Sequence, residues 1–283
     1  MPPRSDPTAR QERLGRELRR LREAAGLTGR RAAALIGTTP MQVSHMETGR
    51  SGVSEERLRL MASHYGCSDG ALLDALVRMA GERGRGWWES YRGLLGREAM
   101  DLAELESGAT HMRVLQSAHV PGLLQTEAHV RALLSYGSPA LSPRQLEERV
   151  EFRVRRQEVL RHENAPDLTA IIHEAPLRIR VADRAVARAQ LVHLLEVSEL
   201  PNVTVRVIPF DLDGFGGAGL SMLYAGGEVP RLDTVQLDAP YGLAWLDAEA
   251  QLRRYRETLD KVEEVALAVP QSRDHIREIH REL

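Results

Sequence analysis

The chain reads as an all-α domain of five short helices followed by an α+β domain with a small antiparallel or mixed sheet and flanking helices. Three observations lead to that reading. Apolar residues recur at helical spacing through the first 80 residues. Alternating β-branched runs such as Val203-Thr-Val-Arg-Val-Ile208 appear only in the later part of the chain. Between the two, residues 81–86 (GERGRG) carry three glycines and no apolar side chain. The expected organisation is therefore a first domain over 1–80, with 1–9 as a frayed arm, a linker over 81–86, and a second domain over 87–283.

Leu14, Leu18 and Leu21 step by four and three, which predicts an amphipathic helix over residues 10–25. Residues 26–50, GLTGRRAAALIGTTPMQVSHMETGR, then hold two short helical segments. Thr28 caps the first, in which Ala33 faces the partner helix, and Gly37 makes the tight turn. Thr39 caps the second, Pro40 occupies its first position, and Gly49 stops it. Val43 and Met46 point inward, so Met41, Gln42, Ser44 and His45 lie off the buried stripe. Two helices joined in this way, with polar residues outside the second, form the pattern of a helix-turn-helix that lays its second helix in the DNA major groove. Gln42, Ser44 and His45 are candidates for base or phosphate contact, and Met41 for a thymine methyl. Thr28, Arg30, Arg31, Thr39 and Arg50 are candidates for the backbone phosphates; alone, such arginines also suit a solvated face. Ser54 caps a fourth helix with Leu58, Met61 and Ala62, and Ala71, Leu72, Ala75, Leu76 and Met79 outline a fifth.

Charge divides along the same line. Residues 1–66 hold 12 arginines against 7 acids, net +5; the whole chain is −2, so residues 67–283 carry −7. A basic head on an acidic body suits a polyanion-binding module attached to something else. The single cysteine, Cys67, excludes an internal disulfide and a multi-cysteine metal site, and reads as a small core filler near a helix end. No apolar run is long enough for a bilayer, and the polar start MPPRSDPTARQER is no signal peptide, so a cytoplasmic location is expected. No cofactor or metal is expected.

In the second domain, Trp87 and Trp88 with Tyr91, Leu94 and Leu95 are expected to begin a helix running to about Glu106. Residues 110–119 read as extended, Pro121-Gly122 as a turn, 123–136 as a short helix and 142–163 as a longer one whose arginines and glutamates interleave as on a solvated face. Strands are expected at 168–173, 203–208, 219–224 and 234–237, and helices at 183–200, 247–267 and 272–283, with the helices on one face of the sheet. No G-x-S-x-G, H-E-x-x-H or metal-ligand cluster occurs, and DGFGGAG (213–219) lacks the lysine and following helix of a phosphate loop. His173 and Glu174, adjacent in the expected strand, would point to opposite faces. No enzymatic activity is expected.

Two resemblances sharpen the reading. Over residues 13–66 the pattern G-L-T…A…G-T-T…S-x-M-E-x-G resembles the phage repressor and Cro (XRE) type of DNA-binding domain. The family often places base-reading glutamines where this chain has Gly29, Pro40 and Met41, so those contacts are absent. The resemblance also implies a partly buried pair between Arg22 and Glu47 that supports the recognition helix. Further on, Trp87-Trp88-Glu89-Ser90-Tyr91, Val120-Pro-Gly-Leu-Leu-Gln-Thr-Glu127, Arg153-Val-Arg-Arg-Gln157, His173-Glu-Ala-Pro-Leu177, Gln190-Leu191, Pro201-Asn-Val-Thr-Val-Arg-Val-Ile-Pro209 and Ser272-Arg273 together resemble the WhiJ-like, antitoxin-like regulators of sporulating actinomycetes.

What the second resemblance implies is a DNA-binding regulator whose second domain binds a small partner protein of the BldB-like kind; a homodimer on an inverted repeat is expected because one such DNA-binding domain buries little surface and needs a second half-site. Two alternatives stay open: a repressor that takes a small molecule in a pocket lined by Trp87, Trp88 and the glycine loop, and an antitoxin-like neutraliser of a neighbouring protein. Gln125, Arg153, Arg156, Gln157 and Glu174 form either a polar network that pins helix to sheet, with the arginines paired to Glu174 or Glu127, or a surface for ligand or partner.

Overall fold

The computed structural model describes residues 6–81, 86–138, 140–217, 219–239 and 242–283. The chain divides into two compact units. One comprises Met1–Ser90 with Ala99–Leu105 and Glu228–Arg231; the other comprises Tyr91–Glu98, Glu106–Gly227 and Leu232–Leu283. Of the expected linker 81–86, residues 82–85 lie outside the described residues, and Gly81 is the last residue of a helix.

The first unit holds helices α1 (Ala9–Ala24), α2 (Gly29–Leu35), α3 (Pro40–Glu47), α4 (Glu55–His64) and α5 (Gly70–Gly81). Each of the first four starts where a hydroxyl can take up an orphan backbone N–H: Thr8, Thr28, Thr39 and Ser54 accept from Gln11, Arg31, Gln42 and Arg57. Thr8 and Gln11 complete a reciprocal capping box, so α1 begins inside the segment expected to fray. Leu18, Val43, Met46, Leu58, Met61, Leu72 and Leu76 form a core at which the helical stripes converge.

Two backbone approaches lock α1 to α3. A Cβ on Gly15 would lie 2.5 Å from the Glu47 carbonyl oxygen, so only glycine lets the helices meet there. Gly49 holds φ +73° beside the Gln11 backbone, which a Cβ would meet at 2.8 Å. Glu17, on α1, is fully buried and takes ion pairs from Arg13 and Arg20, both at 3.2 Å, and from Arg231 of the same unit.

The second unit is built on a six-stranded mixed sheet in the order β3-β2-β1-β4-β5-β6. Its strands are β1 (His111–Gln116), β2 (Asp167–His173), β3 (Val203–Ile208), β4 (Met222–Gly226), β5 (Thr234–Ala239) and β6 (Gly242–Leu246). β1, β2 and β3 run parallel, with Val114 opposite Ala170 and Ala170 opposite Val205. β4, β5 and β6 continue the sheet antiparallel. Its α-helices are α7 (Glu127–Gly137), α8 (Pro143–Arg156), α9 (Glu174–Arg178), α10 (Arg184–Val197), α11 (Glu249–Val265) and α12 (Val269–Glu282), while α6 (Arg97–Ser107) is divided, its residues Ala99–Leu105 being counted with the first unit.

The sheet is covered on both faces, not on one as expected. Leu252, Leu259 and Val262 of α11 pack on Leu115, Ile171, Ile208, Met222, Tyr224 and Val235. Strand side chains alternate, so Met112, Val114, Leu168, Ala170, Ile172, Val205 and Val207 face the other way, and they too are buried. The unbroken Ala170-Ile-Ile172 run is what a parallel strand buried on both sides requires. Edge strand β3 is met by α12 and the segment before it: Val207 N–H donates to Ser272 Oγ at 3.0 Å, and Leu267 N–H donates to the Val207 carbonyl at 2.9 Å. Arg273 donates to the Leu195 carbonyl at 3.1 Å, at the end of α10.

Several expected elements are corrected. Trp87–Tyr91 is one 3-10 turn, and α6 starts afresh at Arg97 after Gly93 reverses the backbone at φ +83°. The segment 110–119 is strand only over His111–Gln116, and the strand expected at 219–224 begins at Met222. Residues 142–163 are α8 followed by a 3-10 turn, Gln157–Arg161. His173 does not share a strand environment with Glu174. Its Nδ1 accepts from Ala175 N–H at 3.2 Å and caps α9, of which Glu174 is the first residue. β6 was not expected; five residues without alternation (GLAWL) give no periodic signal.

Gly15→Ala tests the α1–α3 contact. Alanine gains about 1 kcal/mol of helix propensity, but its methyl meets backbone rather than a movable side chain. A net loss of about 1–3 kcal/mol in unfolding free energy is expected, measured by urea denaturation; an unchanged midpoint would contradict the close approach.

Candidate nucleic-acid interface

With Val43 and Met46 buried, α3 presents its remaining side chains outward. Met41 is 69% exposed, Ser44 is exposed, and Gln42 and His45 are half-buried. Gln42 donates from Nε2 to Ser51 Oγ at 3.0 Å. One amide hydrogen is thereby used and the side chain oriented, while the carbonyl and the second hydrogen stay available. Thr28 and Thr39 are exposed caps whose hydroxyls hold the starts of α2 and α3.

Two groups of arginines stand out in this unit. Arg13, Arg16, Arg19, Arg20, Arg22, Arg59 and Arg78 all pair with acids. Arg30 and Arg31 on α2 and Arg50 beyond α3 are exposed and have no ion pair among the described residues. From Thr28 to Ser54 the only acid is Glu47, and it is buried in a pair of its own. The surface around the outward face of α3 is therefore positive and unneutralised, as a phosphate-facing surface has to be.

The Arg22–Glu47 pair implied by the first resemblance is formed and is bidentate. Arg22 Nε and Nη2 donate to the two Glu47 oxygens at 2.6 and 3.0 Å, and Nη1 donates to the Leu27 carbonyl at 2.6 Å. Both residues are buried, Arg22 at 9% and Glu47 at 8% exposure. The bond to Glu47 holds the Arg22 pKa above its ordinary value. Beside them Tyr65 is pushed up to about 12, first by burial and then by the Glu47 charge.

In the second unit the structure draws the segment 120–126 together with three glutamines. Gln125 Nε2 donates to the Val120 carbonyl at 2.7 Å, Gln157 Nε2 to the Gln125 carbonyl at 2.7 Å, and Gln190 Nε2 to the Leu124 carbonyl at 2.7 Å. Gln190 also accepts from Thr126 N–H at 2.8 Å. Gln190 belongs to the motifs of the second resemblance but was not among the site candidates, since helical spacing says nothing of a bond made 64 residues away.

Among the described residues, the expected pairings of Arg153 and Arg156 with Glu174 or Glu127 do not form. Arg156 lies 2.9 Å from Glu106 Oε2 and packs on Gly122, where a Cβ would collide with it. Burial outweighs that arginine and lifts the Glu106 pKa to about 7. Glu127 pairs with Arg131, while Glu174 accepts from Phe210 N–H at 2.9 Å and pairs with Arg178 and His275. Helical spacing showed which residues share a face, but the partners come from other elements.

Trp87 and Trp88 stack edge to face, 6.0 Å between centroids, and belong to the first unit; the glycine loop belongs to the second, where Phe215 stacks on His173. Cys67 is a half-buried free thiol just after α4. Among the described residues no cluster of His, Cys, Asp and Glu is placed to hold a metal ion, and no helix is long and apolar enough to cross a membrane.

Glu47→Ala leaves Arg22 buried without its carboxylate. The first unit is expected to lose about 3–5 kcal/mol, seen as a lower melting temperature of its transition in calorimetry. An unaltered transition would mean the pair does not hold α3 in place.

A model described as a helix-turn-helix domain matches residues 13–76, the span of α1 to α5. A second model matches residues 99–278. No curated protein and no solved structure matches the chain. The first match makes the five-helix unit a helix-turn-helix DNA-binding domain. The second covers more than half of the 283 residues, and by it the chain belongs to the family described as domain of unknown function (DUF5753).

Proposed function

We propose that the chain is a sequence-specific transcriptional regulator, acting in the cytoplasm as a homodimer on an inverted repeat, and that its second domain takes the signal that changes DNA occupancy. The observation that carries this reading is the set of exposed, unneutralised arginines, Arg30, Arg31 and Arg50, beside the outward face of α3. They supply the phosphate contacts, together with Thr28 and Thr39. Gln42, Ser44 and His45 supply base-edge contacts, and Met41 an apolar one. One α3 offers too few side chains for a full operator, which is why two copies on two half-sites are expected.

For the second domain the resemblance to WhiJ-like regulators supports a small BldB-like partner protein as the signal. A ligand-responsive domain is the second reading, and one observation favours it: α8 carries half-buried arginines with no acid partner. We assign the chain no reaction.

A footprint of the purified protein on its own upstream region, with and without the product of a neighbouring small gene, tests both halves. Protection of two half-sites about one helical turn apart supports the dimeric reader, and a change on adding the neighbour supports the protein signal. Absence of any protected repeat, with active protein, counts against the first half.

Two variants probe the residues. Gln42→Ala combined with His45→Ala is expected to abolish the specific footprint while circular dichroism and dimer mass stay as in the parent; a parental footprint would displace α3 from the groove. Arg31→Ala is expected to weaken binding to all sequences alike. It should also flatten the dependence of log K on log salt by about 2 per dimer, at about 0.9 for each phosphate left without its arginine.

A further inference from the structure

Helix α8 and the 3-10 turn that follows it sort their charges by face. Glu147, Glu151 and Glu158 line an outer groove with Glu127, Val154 and Arg155. Arg149, Arg153 and Arg156 step by four and three along a different face, on one side of the buried Phe152. Arg156 is matched by Glu106. Arg149 and Arg153 are half-buried, and neither makes a hydrogen bond or an ion pair among the described residues.

Arg153 is the more telling of the two. Burial, then the charges of Arg156 and Arg149, draw its pKa down to about 10, with Asp238 the one acid that opposes them. Asp238 is exposed, and its Oδ1 already accepts from Gln236 Nε2 at 3.0 Å. Half-buried guanidinium groups are ordinarily paired, because losing water without gaining a partner is costly. Here one is held between two others of the same sign. A recessed, planar fork flanked by positive charge is the geometry that takes a carboxylate or phosphate in bidentate fashion.

We propose that Arg153, flanked by Arg149, anchors an anion-binding site in the second domain that takes the phosphate or carboxylate group of a small molecule. The recess favours a small anion over an acidic protein segment, which would need the guanidinium groups at the surface. The site gives the ligand-responsive reading its chemical class. Because binding is measured without DNA, its failure is distinct from failure of the regulator reading.

The test uses the full chain. Inorganic phosphate and, separately, citrate are titrated calorimetrically against sodium chloride of matched ionic strength. Saturable binding of one anion per chain by at least one probe is expected, weakened at least tenfold in Arg153→Gln and in Arg149→Gln. Which probe binds distinguishes phosphate from carboxylate ligands. No saturable binding of either, or parental affinity in both variants, overturns the site. A second readout does not rely on those variants folding equally well. In anion-free buffer Arg153→Met, which keeps the stem and removes the charge, is expected to melt above the parent and to lose the rise in melting temperature that the anion gives the parent. A variant that melts lower and still responds to the anion would show Arg153 to be a structural residue.

Discussion

Glu47 is the residue through which α1 fixes the direction of α3. Its carbonyl oxygen occupies the place a Cβ of Gly15 would take, and its carboxylate grips Arg22 from both oxygens. One turn away, Gly49 sits against the Gln11 backbone. A buried ion pair adds little net stability, since two charges lose their water to form it. What it contributes here is direction: a bidentate fork tolerates little rotation, so α3 cannot roll about its axis. The roll angle decides which residues are buried with Val43 and Met46 and which, Met41 and Ser44 among them, meet whatever lies outside.

The second unit solves a comparable problem without charge. The segment 120–126 is largely buried, and its one 3-10 turn, Gly122–Leu124, leaves the carbonyls of Val120, Leu124 and Gln125 to be satisfied by side chains. Gln125, Gln157 and Gln190 satisfy them from 5, 32 and 66 residues away. A neutral amide carries a smaller desolvation cost than a carboxylate or guanidinium, so three can be buried together. The same segment brings Gly122 under Arg156, and Arg156 to Glu106.

The first unit was legible in detail because its signals are local. Thr28, Thr39 and Ser54 cap within three residues, and leucine spacing marks the buried stripe. Gly15 was not, since a mid-helix glycine looks like a weak helix former until the opposing backbone is known. Nor was Glu17, which stands at a core position among arginines that look solvated. In the second unit the β-branched runs gave β2 and β3, and α10 followed from its Asp183 cap. The short elements α9 and β6 fall below the length at which periodicity can be read. The partners of Arg156, Gln157 and Glu174 lie on other elements, and the pairing of distant residues leaves no trace in spacing.

Arginine accounts for all but one of the 38 basic residues, Lys261 being the exception, so arginine as such marks nothing in this chain. The informative quantity is whether each guanidinium has an acid partner and how much water it keeps. Paired arginines such as Arg13, Arg22 and Arg273 hold elements together. Arg30, Arg31 and Arg50 have no ion pair among the described residues but keep their water, so the folded state is not penalised and the charge is available to a polyanion at a distance set by salt. Arg153 has no hydrogen bond or ion pair among the described residues and has lost part of its water. That loss disfavours the folded state unless an anion restores the missing bonds, and the restored energy appears as affinity. Exposed and recessed arginines without partners thus call for different ligands: the first a duplex whose phosphates stay hydrated, the second a small anion that gives up its own water to enter.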